Sequence, residues 1–345
     1  MRLLIRLFLL GLLASIFTII AGVVLWMQLN TPYRGFGEGP VFVEIERGSS
    51  TADMGALLER NGVVRYGWFL RAVRLLHPKA PLQAGEYRFT ESATALQVFD
   101  RLRKGDVYLV SLSIPEGKNI WEIAEIINKS EMVNAKDFLE EAKKPGLIKD
   151  IAPQATSLEG YLFPSTYQFR RKATAREISE RLTYEFRQQW KKLGVDSRMH
   201  EVITMASLIE KETSIAEERP LVSSVFWNRM REGMRLDCDP TVIYAALLEG
   251  KYRGTIYLSD LQRESPYNTY TRPGMPPGPI ANPGMASIQA ALNPATTKYV
   301  FFVAKGDGSG AHTFSKDLTG HQRAVRAYRD AIQAIPKAAT NPPNR

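Results

Sequence analysis

A single carboxyl group stands where a carboxyl group is costly. Residues 200–215 read His-Glu-Val-Ile-Thr-Met-Ala-Ser-Leu-Ile-Glu-Lys-Glu-Thr-Ser-Ile. Wound as a helix at about 100° per residue, this run gathers Val202, Met205, Leu208, Ile209, Ile215 and Ala216 on one apolar face. Glu212 falls within that face, while Glu210, Ser207 and Lys211 point elsewhere. A carboxylate among apolar side chains is disfavoured unless it is partnered or protonated. Burial raises its pKa, and a carboxyl group that titrates high serves as a general acid. The competing reading is structural: a Glu that meets an Arg, or one that ends its helix.

Other chemistry-bearing residues are sparse. The chain has four His and one Cys, Cys238. Metal-site spacing is absent, as are HExxH, a Gly-rich phosphate loop and GxSxG. No cofactor and no metal are therefore expected. Cys238, in Leu-Asp-Cys-Asp-Pro, reads as a packed side chain rather than a nucleophile, and it leaves no intrachain disulfide. Candidate binding residues are Tyr161, in the aromatic turn 157–167, and Tyr267, Asn268, Thr269 and Tyr270, in the loop 265–283. Asn228 lies on a helix expected at 220–231. Aromatic rings suit sugar faces and apolar cores equally well. A loop as long as 265–283 inside a compact domain reads as one wall of a cleft. Asp239 is expected to cap a helix with Pro240 at its first position. Glu210 is expected to be a structural partner, and Glu159 and Arg229 stay open between structure and function.

The elements that position these residues begin at a membrane. Residues 7–33 carry no charge. As a helix, 7–29 would span roughly 35 Å, enough for a bilayer. Arg2 and Arg6 keep the amino end cytoplasmic, and Trp26 and Tyr33 suit the far interface. A cleaved signal peptide is the alternative. The length of the apolar run and the lack of a small-x-small cleavage site count against it. The net charge of +9 is spread in mixed-sign runs. It fits anionic headgroups or an anionic wall polymer. The exported position and the lack of clustered Lys/Arg with interleaved aromatics exclude a nucleic-acid partner.

The exported part is too long for one small domain. The expected organisation is a membrane helix within 1–30, a Gly/Pro linker at 31–40, a binding region at 41–150, a second domain at 151–335 and a disordered tail at 336–345. In the binding region, 41–46 and 85–90 alternate as strands and 51–61 and 66–76 as amphipathic helices. A shift of 69 positions lays Ile45 on Ile114, Gly48 on Gly117, Leu58 on Ile127, Val64 on Val133 and Phe69 on Phe138. Either the strand–helix–helix unit occurs twice, or two amphipathic stretches match by period alone. Beyond it, helices are expected at 174–193, 197–216, 220–231, 286–292 and 319–334, and strands at 299–304 and 312–315. The fold class is α+β, with a mixed α/β second domain carrying Glu212 on a helix.

Seven ordered motifs point to one family. They are Glu-Gly-Tyr-Leu-Phe-Pro at 159–164, Ala-Ser-Leu-Ile-Glu-Lys-Glu-Thr at 206–213, and Val-Phe-Trp-Asn-Arg-Met at 225–230. Met-Arg-Leu-Asp-Cys-Asp-Pro-Thr-Val-Ile-Tyr follows at 234–244, then Tyr-Asn-Thr-Tyr at 267–270. Gly-Met-Pro-Pro-Gly-Pro-Ile at 274–280 and His-Thr-Phe-Ser at 312–315 complete the set. Together they resemble the endolytic murein transglycosylase, or YceG-like, family from the membrane helix to the closing helix. Cys238 departs from the pattern, where a polar residue other than cysteine is expected.

The resemblance implies a single-pass protein of the bacterial inner membrane that faces the periplasm. It implies a LysM-like peptidoglycan-binding region and a catalytic domain that cuts nascent glycan strands within their length. It implies Glu212 as the catalytic acid and a partnership with peptidoglycan synthases. The expected reaction cleaves the MurNAc-β-1,4-GlcNAc bond and leaves 1,6-anhydroMurNAc ends. One carboxyl group acts as acid and then as base, where ordinary glycosidases need two. The lack of a second evident buried acid fits that scheme. Two other classes stand beside it: a non-catalytic wall-binding scaffold, and a muramidase that uses water.

Overall fold

Four helices begin with the same reciprocal cap. Ser50, Thr94, Asn119 and Thr174 each accept a bond from the N–H three residues on. The side chains there (Asp53, Gln97, Glu122 and Glu177) bond back to the cap's own N–H. Each box satisfies donors that a helix start leaves open. The computed structural model describes residues 2–195 and 198–334, and the expected tail at 336–345 lies outside them. The chain divides into two compact units, Met1–Val110 and Ser111–Arg345.

The first unit opens with α1 (Arg2–Asn30), which is long and apolar enough to cross a membrane. It continues with β1 (Val41–Ile45), α2 (Thr51–Arg60), α3 (Trp68–Leu76), β2 (Gly85–Phe89) and α4 (Ala95–Lys104). β1 and β2 pair antiparallel with Val43 opposite Tyr87. Their inward side chains close a core with Leu58 and Leu70, and Val98 and Leu102 of α4 complete it. The helix α4 had no counterpart in the sequence reading.

The same order recurs across the unit boundary. β3 (Val110–Ile114), α5 (Ile120–Lys129), α6 (Ala135–Ala142), β4 (Ser165–Phe169) and α7 (Ala175–Lys192) repeat strand, two helices, strand, helix. β3 starts 69 positions after β1 and α5 starts 69 after α2. The connection before β4 is longer than that before β2, and it carries Glu159 and Tyr161. Ile114, Ile123, Ile127 and Phe138 share one core with Leu182, Met205 and Leu208. The compact units therefore part at 110/111, whereas the expected domain boundary lay near 150. The reason is physical: the second strand–helix–helix stretch buries its apolar side in the larger core.

The rest of the second unit is mainly helical. It comprises α8 (Met199–Glu212), α9 (Arg219–Arg231), α10 (Asp239–Leu248), α11 (Leu258–Leu261) and α12 (Met285–Leu292). A hairpin of β5 (Phe301–Ala304) and β6 (His312–Ser315) follows, closed by α13 (Leu318–Ala334). The helix α8 packs against α9, α10 and α12, and residues 202–209 are all buried. It is thus a central helix and not the one-faced amphipath of the wheel. It also ends at Glu212, so Ile215 and Ala216 lie beyond it.

Candidate active site

Glu212 is the last residue of α8, and Thr213 after it is extended. The half-buried carboxyl group therefore sits at the negative end of the helix dipole, which disfavours its ionised form. Burial raises its pKa above the ordinary 4.5, and Asp239 pushes it the same way. A hydrogen bond from Cys238 and the charges of His312 and Arg229 pull less strongly downward. Both readings of the residue are thus partly right. It ends its helix, and its environment still keeps it protonated to higher pH than a free Glu.

Cys238 is the hinge between this carboxyl group and the loop. Its Sγ donates to Glu212 Oε1 at 2.9 Å, and its N–H donates to Thr269 Oγ1 at 3.0 Å. Thr241 Oγ1 lies 2.9 Å from Thr269 Oγ1 and donates to Cys238 O at 2.6 Å. Burial pushes the Cys238 thiol pKa well up, so it is a neutral donor and not a thiolate nucleophile. This matches the packed side chain expected from the sequence. Cys238, and not Asp239, is the residue before α10; Asp239 is the first helical residue. Its Oδ1 accepts from Tyr270 Oη at 2.5 Å.

A second pair braces the turn after Glu212. Glu218 accepts the His312 N–H at 2.8 Å, and its other oxygen lies 2.7 Å from His312 Nδ1. Thr213 Oγ1 donates to the same oxygen at 3.3 Å. Arg229 binds Val300 O at 2.6 Å and Leu236 O at 2.8 Å. It thereby holds a positive charge beside the chain that carries Cys238. The sequence reading missed the Glu218–His312 pair. Its sole signal was an acid ahead of α9 and a His in a short strand, far apart in sequence.

The candidate sugar contacts fall into two groups. Thr269 and Tyr270 stand at the site through Cys238 and Asp239. Tyr267 is half-buried, with its ring 4.9 Å from that of Tyr244; burial raises its pKa to about 12. Tyr161, Asn228 and Asn268 are buried and bound to protein groups, as Thr269 is, and the structure gives each of them a structural role. Tyr161 is 0% exposed, and its hydroxyl meets His200 Nδ1 at 2.7 Å. Gly160, at φ 87°, leaves room there for Pro279 and Ile203, which any Cβ would strike. Asn228 Nδ2 holds Tyr299 O at 2.8 Å and Thr297 O at 3.0 Å. Asn268 Nδ2 binds Arg263 O at 2.7 Å, and its Oδ1 accepts from Tyr270 N at 2.9 Å. Each is an amide that satisfies backbone in a long loop, as buried polar groups must.

One further acid departs from the expectation of no second buried acid, and another meets its expectation. Glu159 is buried and its pKa rises to about 8. It accepts from Ile120 N at 3.0 Å and from Asn282 Nδ2 at 2.8 Å. It is a second buried acid, hidden in sequence because its connection looked like an ordinary turn. Glu210 accepts from Gly284 N at 3.0 Å and faces Arg219 at 3.7 Å, which is the structural role expected of it.

Comparison with known proteins follows the same residues. A model of the YceG-like family matches residues 43–327. A Bacillus subtilis protein named endolytic murein transglycosylase is 33% identical over 334 residues, 90% of this chain and 91% of its own length. A Streptococcus pneumoniae protein of the same name is 29% identical over 328 residues, which cover 84% of this chain but 58% of that longer protein. The crystal structure of a putative YceG-like protein from Listeria monocytogenes superposes with a TM-score of 0.54 at 31% identity. That match covers 83% of this chain and 99% of the other.

Proposed function

The chain belongs to the YceG-like family, and on that footing we propose that it is an endolytic lytic transglycosylase of peptidoglycan with Glu212 as its acid and base. The observation that carries the site is the Glu212 carboxyl group itself. It ends a central helix, its pKa is raised by burial, and one oxygen is held by Cys238.

The chemistry follows from one proton. Protonated Glu212 donates to the glycosidic oxygen as the bond from that oxygen to the muramic anomeric carbon breaks. Positive charge develops on the sugar and negative charge on the carboxyl group, so the pair is stabilised as it forms. The C6 hydroxyl oxygen of the same muramic residue then bonds to the anomeric carbon, and its proton passes to Glu212. The products are a new free 4-hydroxyl and a 1,6-anhydro ring, and no water is consumed. The attacking group is already part of the substrate, so little orientational entropy remains to be lost. Tyr270, held by Asp239, would orient the sugar, buried Thr269 would position Cys238, and Tyr267 offers a half-buried ring.

The rest of the chain fits this reading. α1 anchors the protein in the bacterial inner membrane with its amino end in the cytoplasm, and both units face the periplasm. The two strand–helix–helix–strand–helix stretches arose by duplication; 41–150 holds the first and the opening strand and two helices of the second, and forms the LysM-like binding region. The catalytic domain is 151–335. A peptidoglycan synthase supplies the strands.

The test is mass spectrometry of products from uncrosslinked glycan strands, with the parent and its Glu212→Gln variant. Anhydro-ended chains from the parent and none from the variant are expected. Hydrated reducing ends would make it a muramidase, with Asp239 the second carboxylate to examine. Strands bound but uncut by both proteins would make it a scaffold.

A further inference from the structure

The membrane helix does not end free of the first unit. Leu29 is buried in that unit's core and Leu25 packs against it, and α1 runs against α4. Only the stretch up to residue 24 is left for the bilayer. Residues 7–24 span about 27 Å as a helix, against an apolar thickness of about 30 Å. There is no slack, so the unit is seated on the headgroup layer. This rests on α1 being a membrane span, and on no part of the catalytic reading.

A cavity of about 800 Å³ opens at that level. It is lined by Trp26 of α1, Leu76 of α3, His77 and Lys79 after it, and Phe99, Asp100 and Arg103 of α4. Trp26 is about one turn from the α1 terminus, at the depth where aromatic belts lie. The cavity therefore opens among lipid headgroups. The surface at this end of α3 is wrong for water: Leu75 is 81% exposed and Leu76 57%. It is right for acyl chains. The rim is basic. Arg103 and Lys104 both pair with Asp100, at 2.5 and 2.7 Å, which leaves an excess positive charge before the exposed Lys79 is added.

We propose that this cavity binds an anionic phospholipid of the leaflet on which the unit sits. The phosphate lies between Lys79 and Arg103, and the acyl chains run over Trp26, Leu76 and Phe99. The ligand class follows from the pairing of a basic rim with an apolar floor at interfacial depth. Its consequence is orientational. A bound lipid fixes the unit's rotation about α1 and hence the side it presents to glycan.

The test uses the full-length chain, purified in detergent and offered phosphatidylglycerol or phosphatidylcholine, with retained lipid counted by native mass spectrometry. The parent should keep phosphatidylglycerol in preference to phosphatidylcholine. The Lys79→Gln/Arg103→Gln variant should bind it about thirtyfold more weakly, as expected for the loss of two basic groups at a headgroup surface. Equal melting of the two proteins checks folding, and Lys79→Gln alone should give a smaller loss in the same direction. Equal retention of both lipids by the parent, or undiminished phosphatidylglycerol on the variants, overturns the site. A chain released from membranes by alkaline carbonate overturns the anchor beneath it, whatever its glycan-cleaving activity.

Discussion

Cys238 Sγ donates a hydrogen bond to Glu212 Oε1 at 2.9 Å, across 26 positions of chain. The thiol opposes what burial does: burial raises the Glu212 pKa and this bond lowers it. The acid must be protonated to donate, so activity falls as pH rises through that pKa. Cys238→Ala removes the bond and should move the basic limb of the pH–rate profile upward by about one unit. Cys238→Ser, a stronger donor, should move it downward by a similar amount, since charge-assisted bonds are worth about 1.5–3 kcal/mol. A limb that stays in place in both variants would separate the thiol from the acid.

Tyr270 and Tyr161 should behave oppositely. Tyr270→Phe strips the Asp239 carboxylate of its 2.5 Å donor, and Asp239 already raises the Glu212 pKa. Its expected mark is a shifted pH–rate profile with an almost unchanged melting temperature. Tyr161 is different. The carbonyl of Pro277 accepts from His200 Nε2 at 2.8 Å, so Nδ1 is the acceptor of the Tyr161 hydroxyl. Tyr161→Phe should cost about 1–2 kcal/mol in urea unfolding and leave KM for glycan alone. A raised KM would return Tyr161 to the substrate.

Glu159 makes stability depend on pH. Its folded pKa is raised by burial from an ordinary 4.5 to about 8. Between those values the folded state binds the proton and the unfolded state does not. Stability therefore falls as pH rises across that window, by up to about 1.4 kcal/mol per unit, and levels off above it. Thermal melts of the parent minus those of Glu159→Gln should isolate this slope from pH 5 to 8. A difference curve flat over that range would show that Glu159 is ionised in the folded protein.

Glu218 carries the reverse sign. Burial raises its pKa, but the bonds from His312 outweigh it and the net shift is downward. Its contribution is present above the ordinary carboxylate pKa and lost as pH falls through it. Glu218→Gln should lose about 1–3 kcal/mol at pH 7, with the gap to the parent closing as pH falls below the ordinary carboxylate range through the lowered folded pKa. Glycan cleavage should fall too, because the turn after Glu212 loses its brace. Full activity at pH 7 would make the pair remote from the chemistry.

Local physics was readable in the chain. The alternation at 41–46 and the amphipathic periods at 51–61 and 174–193 set elements within a residue or two of their ends. So did the apolar run of α1, because periods and uncharged length act between near neighbours. α4 was missed because a short charged helix after a turn looks like loop. The site was legible only in its centre. The wheel picked Glu212 on a face that α8 does not have, since the helix is wrapped by α9, α10 and α12.

By itself the sequence determined the long apolar first helix, the α+β class and the family, and it singled out the carboxyl group on which the proposed chemistry turns. The tertiary structure alone decided which polar groups serve that carboxyl group. It sent Tyr161, Asn228 and Asn268 into the interior and brought Cys238, Asp239 and Tyr270 to Glu212. It also buried Glu159 as a second high-pKa acid. The reason is range. Caps and periods follow from atoms a few residues apart, whereas a hydrogen bond from Cys238 to Glu212 or from His312 to Glu218 exists only once distant segments share a core.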